Sequence, residues 1–170
     1  MIQNSTEKGL TLSSSKGFTL LELLLCFALI ALLLGVSTPI YFSLFSRNDL
    51  AVATNEVAQS LGRASFLSAA SQGDCAWGVK VIDGSIVIFK GAVVNNVCDA
   101  APTYSTRDAD YDEIYSIASS VSVNQSGITE VVFYKMTGLP VPQDIGTITL
   151  TSTNGESKTI TINAKGTITY

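Results

Sequence analysis

From Phe18 to Ser46 the chain reads FTLLELLLCFALIALLLGVSTPIYFSLFS, twenty-nine residues with a single charge, Glu22. No other stretch limits the fold as much. As a helix rising about 1.5 Å per residue it is long enough to cover a hydrocarbon core of roughly 30 Å. The apolar region of a secretory signal peptide is usually about 7–15 residues and ends at a small-residue cleavage site. This run is about twice that length, so a spanning helix over about residues 18–41 is the expectation. Lys8 and Lys16 precede the run and Arg47 follows it. That asymmetry favours a cytoplasmic N-terminus and an exported remainder.

The 170 residues leave room for one globular head after the apolar run. Hydrophobic residues make up 46% of the chain and charged residues 14%, too apolar for disorder and too sparsely charged for an ordinary cytosolic enzyme. Histidine is absent, which excludes a Ser-His-Asp triad, a Cys-His pair and any histidine metal ligand. No nucleophile has a visible base and no cofactor motif occurs, so an enzyme is not expected. From Asn48 onward twelve acidic residues face seven basic ones, 7 − 12 = −5, a balance that argues against non-specific binding to nucleic acid.

A carboxylate five residues into an apolar run is costly, on the order of 2.5–3.5 kcal/mol at a membrane centre, and so usually functional. Around it the residues are Lys16-Gly17-Phe18-Thr19-Leu20-Leu21-Glu22-Leu23, which resembles the class III signal of type IV pilins. The resemblance implies that a prepilin peptidase cuts between Gly17 and Phe18 and methylates the new amine of Phe18. The mature chain would then have 170 − 17 = 153 residues. It further implies that Glu22 meets the Phe18 amine of a neighbouring subunit as a filament assembles. A carboxylate that merely snorkels to the headgroups is the plainer alternative.

Pro39, following Gly35-Val36-Ser37-Thr38, removes a helical hydrogen bond, so Gly35 and Pro39 are expected to kink the helix near the membrane exit. Beyond it Leu50, Ala53, Val57, Leu61, Ala64 and Leu67 recur at three- and four-residue steps, the stripe of a helix lying on a core. The period changes to alternation after Gly73. Trp77, Val79 and Val81, an Asp83-Gly84 turn and Ser85–Lys90 predict a hairpin. Further strands are expected near 120–124, 129–135, 147–153, 157–163 and 167–170, with Asn154-Gly155 as the clearest turn. Ile148, Leu150, Ile160 and Ile162 should face a core, with the alternating threonines facing water.

Cys26 lies in the apolar run, whereas Cys75 and Cys98 lie in the exported part, where oxidation favours a disulfide that would tie the base of the first hairpin. The run Arg107-Asp108-Ala109-Asp110-Tyr111-Asp112-Glu113 invites a calcium reading, but Glu113 and Ser119 stand where an EF-hand loop needs glycine and glutamate. A solvated loop is the reading taken.

Toward the C-terminus, Val132–Pro140, Gly146–Leu150 and Ile160–Ile168 resemble the H-type minor pseudopilins of type II secretion and the FimT-like minor pilins, with Thr167 in place of that family's arginine. The fold class expected is therefore α+β: a leader at 1–17, a long helix over 18–72 whose second half packs on an antiparallel sheet, and a β-rich head over 73–170. The function implied is a minor subunit of a secretion pseudopilus or pilus in the inner (cytoplasmic) membrane, with its head in the periplasm or outside the cell. Its partners would be prepilin peptidase, other pilin or pseudopilin subunits, an inner-membrane assembly platform and membrane lipid. A DNA-uptake minor pilin is the alternative; its head needs a basic strip, and Lys158 and Lys165 are too few.

Overall fold

The computed structural model describes residues 17–170 except residue 125, and the side chains of those residues except 36–40 and 42. The leader therefore lies outside the described residues save for Gly17. The chain divides into two units, residues 1–40 and 41–170.

One helix, α1 (Leu20–Ala69), passes through both units and is continuous across Gly35 and Pro39. In the first unit its apolar side chains are exposed on every side, from Leu20 at 77% to Ile30 at 52%. A helix apolar all round stabilises nothing by itself and is suited to lipid or to other helices. Among the described residues no helix is long and apolar enough to cross a membrane. The expected span over 18–41 includes residues 36–40, whose side chains are not described.

In the second unit the helical stripe behaves as its spacing dictates. Leu50, Ala53, Val57, Leu61, Ala64 and Leu67 are all buried in one core cluster. The helix stops at Ala69, short of the expected 72, because Ser71 and Gly73 adopt left-handed backbone (φ 52° and 66°) in a single 3-10 turn, Gln72–Asp74. Ser68 and Trp77 fix the reversal: the Trp77 N–H donates to Ser68 Oγ at 2.8 Å, and the indole N–H donates to the Gln72 carbonyl at 2.9 Å.

Two four-stranded antiparallel sheets follow, together with one small ribbon. The first sheet contains β1 (Trp77–Ile82), β2 (Ser85–Gly91), β5 (Arg107–Ser116) and β7 (Glu130–Phe133), in the order β5-β2-β1-β7. The second contains β6 (Val121–Val123), β8 (Gly146–Ser152), β9 (Ser157–Ile162) and β10 (Ile168–Thr169), in the order β10-β9-β8-β6. The ribbon is β3 (Val93–Val94) with β4 (Val97–Cys98). Val79, Val81, Ile86, Ile88, Val131 and Phe133 of the first sheet join Ile148, Leu150, Ile160 and Ile162 of the second in the helix-covered core. The long helix with its antiparallel β head is the α+β pilin-like fold.

The expected hairpin of β1 and β2 forms with Trp77 opposite Lys90 and Ile82 opposite Ser85. Its turn residue Asp83 also accepts the Val123 N–H at 2.7 Å, which ties the two sheets together. In β8 and β9 the isoleucines and Leu150 are buried, while Thr147, Thr159 and Thr161 are exposed. Gly78 has no room for a side chain, because a Cβ there would lie 2.5 Å from the Phe89 ring directly across the strand pair.

The acidic run is not a loop, which corrects the sequence reading. It forms β5, the longest strand, paired with β2, and its register slips between Ile88–Glu113 and Lys90–Asp108 so that four residues bulge opposite Phe89 alone. Such a bulge hides a strand from a period-two reading.

Candidate functional site: the N-terminal segment and its support

Gly17, Phe18 and Thr19 precede the helix without regular structure, and Phe18 is 79% exposed. The Gly17–Phe18 bond is thus in irregular, accessible chain, the form in which a peptidase can take it. Thr19 caps the helix that begins one residue later. Its Oγ1 accepts the Glu22 N–H at 3.2 Å and its carbonyl accepts the Leu23 N–H at 3.1 Å. The functional signal in Thr19 went unread in the sequence although it was present: Thr-x-x-Glu ahead of an apolar run is the pattern of a capping box.

Glu22 is the single acid in the first turn of α1 and is exposed. There the unpaired N–H groups of the helix start give a positive partial charge that suits a carboxylate. Cleavage at Gly17–Phe18 would add an ammonium group four residues away. The carboxylate of Glu22 accepts hydrogen bonds only, so it is suited to a cation. Cys26 is a free, exposed thiol one turn further on.

Cys75 and Cys98 are joined as a disulfide, with their Cα atoms 5.3 Å apart across 23 residues of chain. The link lies at the base of the first hairpin: Cys75 stands two residues before Trp77, and Cys98 Sγ packs beside Gly91 at the end of β2. Because Cys98 belongs to β4, the bond also holds the exposed valine ribbon of β3 and β4 against the start of the sheet.

Three of the four acids of β5 are matched by bases, and the fourth, Asp110, is exposed. Asp108 lies 3.4 Å from the buried Lys90 ammonium, Asp112 is 2.8 Å from Arg107, and Glu113 accepts from Nε and Nη2 of Arg63 at 2.6 and 2.7 Å. Lys90 also stands 3.4 Å above the Tyr111 ring, and Arg107 3.8 Å above Tyr104. The Arg63 hydrogen bonds hold the Glu113 carboxyl below its ordinary value, and those that Arg107 donates to Asp112 raise Arg107. Among the described residues no group of three or more acidic or cysteine side chains is arranged to hold a metal ion. Asp108, Asp112 and Glu113, three of the carboxylates that suggested calcium, are occupied by cations of the protein itself. Lys158 and Lys165, the two cations weighed for a DNA-binding strip, are exposed on the second sheet and the turn after it.

Neither the comparison with curated proteins nor that with solved structures finds a match. Residues 12–38 match the family described as the prokaryotic N-terminal methylation motif. The match covers Gly17, Phe18, Thr19, Glu22 and Gly35. Such a motif implies processing by prepilin peptidase, assembly with other pilins and a membrane-anchored filament subunit. This chain carries, at its N-terminus and ahead of a long helix and an antiparallel β head, the methylation motif that marks type IV pilin-like proteins.

Proposed function

We propose that the chain is a minor subunit of a type II secretion pseudopilus or a related type IV pilus, cut after Gly17, methylated at Phe18 and built into the filament through α1. The observation that carries the proposal is the capped helix start: accessible Gly17 and Phe18, the Thr19 cap, Glu22 in the first turn and an apolar surface on all sides beyond it. Before assembly that surface sits in the inner membrane as a single span over about 18–41, the head on the far side. Gly35 and Pro39 kink the helix where it leaves the bilayer. The minor-subunit assignment rests on the C-terminal pattern, the two-strand hairpin of β8 and β9 and the Gly166-Thr167-Ile168 ending.

Glu22 distinguishes assembly from anchoring. A carboxylate makes an apolar segment harder to insert, so a purely anchoring helix gains or is unchanged when it is removed. Glu22→Ala is therefore expected to leave export, cleavage and head folding intact and to deplete the subunit from sheared filaments. Recovery of the variant in filaments at the wild-type level would show that no pairing with a neighbour's amine takes place.

A further inference from the structure

We propose that the base of the second unit is a foot that rests on the headgroups of an anionic lipid bilayer. The inference deepens the membrane-anchored reading above and rests on it. The turn between β8 and β9 is clasped to the helix at its first turns in this unit. The Asn154 amide donates to the Ser43 carbonyl at 3.4 Å, the Ser46 and Thr153 hydroxyls lie 3.2 Å apart, and the Arg47 guanidinium pairs with Glu156 at 2.5 Å. Three contacts between residues 43–47 of the helix and 153–156 of the turn make this end rigid.

On that rigid end the side chains are those of a membrane interface. Tyr41, Leu44 and Phe45 are 66%, 62% and 55% exposed, and the Tyr41 and Phe45 rings stack with centroids 6.4 Å apart. Aromatic rings with one wet and one apolar side collect at the headgroup level. Beside them Arg47 and Lys158 border an open hollow of about 470 Å³ with Leu50, Glu156 and Ser157. Arg47 and Lys158 balance Glu156 and Asp49 at the foot, 2 − 2 = 0, while the rest of the chain from Asn48 onward carries six bases against ten acids. An anionic surface repels the second and not the first, so the field orients the head with this end down. The foot also follows the apolar run directly in the chain. Phe18–Ile40 as helix amounts to about 34 Å, close to one hydrocarbon thickness, which brings Tyr41 to the headgroup level.

The test uses the full-length protein with Cys26→Ser, reconstituted in phosphatidylcholine vesicles with or without phosphatidylglycerol. A nitroxide is placed by Ser157→Cys at the foot or by Leu24→Cys in the apolar run. Collision with a water-soluble nickel chelate is read in each. The expected result is that the foot label is protected severalfold more with phosphatidylglycerol than without, and that high salt or Lys158→Glu removes the difference while near-UV circular dichroism shows the head still folded. Lys158 is chosen because it takes no part in the clasp, and Arg47→Glu serves as the stronger second variant. A foot label as accessible as in detergent, with Leu24 protected by lipid, overturns the foot and leaves the anchor. Accessibility at both positions overturns the anchor and the foot together. Protection indifferent to lipid charge, or growing with protein-to-lipid ratio, assigns the surface to another subunit and overturns the inference.

Discussion

Arg63 on the helix grips Glu113 on β5 through two parallel hydrogen bonds, Nε to Oε2 at 2.6 Å and Nη2 to Oε1 at 2.7 Å, fifty residues apart in sequence. The fork-to-carboxylate geometry fixes the edge strand of the first sheet to the helix that the sheet covers. Tyr115 completes the cluster by donating to Glu113 Oε2 at 3.2 Å.

The pair makes the head acid-sensitive in a definite direction. The Arg63 hydrogen bonds lower the folded-state value of Glu113 from its ordinary 4.5. Its contribution is thus fully present above that value and is lost as pH falls through the lower folded one. Asp144 works the opposite way: burial raises it above its ordinary 3.8, so its contribution is greatest below 3.8 and is lost as pH rises through the folded value. Glu113→Gln should show a small drop in Tm at neutral pH and converge on the wild type in acid. Thermal melts from pH 7 to below 4 check this, and parallel curves at all pH values would refute it.

Much of this head is legible in the sequence. The stripe from Leu50 to Leu67 repeats at the helical period, β1, β8 and β9 alternate, and β2 is a short apolar run that follows the Asp83-Gly84 turn, as β9 follows Asn154-Gly155. What escaped were elements whose logic is not periodic. The bulge opposite Phe89 breaks the alternation of β5, and its acids read as solvated until Lys90 and Arg63 arrive from elsewhere in the chain and Arg107 reaches Asp112 across the bulge. The β3 and β4 ribbon turns at Asn95-Asn96, both left-handed, and its apolar flanks of two residues a side are too short to read as strands.

At the N-terminus the cap yields a local prediction. Thr19→Val removes the oxygen that accepts the Glu22 N–H, a change worth about 1 kcal/mol at a helix start. Amide exchange at Glu22 should speed up severalfold in micelles, and Thr19→Ser should restore it. Unchanged exchange in Thr19→Val would mean that the cap is not formed.

The disulfide is expected to stabilise the head by restricting about two dozen residues of unfolded chain, roughly 3 kcal/mol in the loop-entropy model. The Cys75→Ala, Cys98→Ala double variant should melt roughly 10 °C lower. Both cysteines reacting with alkylating agent before reduction in exported protein would show that the bond is not made there.

Gly78→Ala tests the close approach across the first hairpin. The added methyl would meet the Phe89 ring at 2.5 Å, and that ring is fully buried against Val132 and Val141. Overpacking of this kind costs about 1–3 kcal/mol. A denaturant midpoint equal to that of the wild type would show that the ring moves aside freely.

The most direct test of the central claim is the intact mass and N-terminal sequence of the protein recovered from the membranes of cells that make prepilin peptidase. The account predicts a chain of 153 residues, 170 less the 17 of the leader, beginning at Phe18 with one methyl group on its amine, and accumulation of uncut protein in Gly17→Ala. A mature chain that begins upstream of Phe18, or one cut near Ser37-Thr38 as a secretory signal would be, contradicts it.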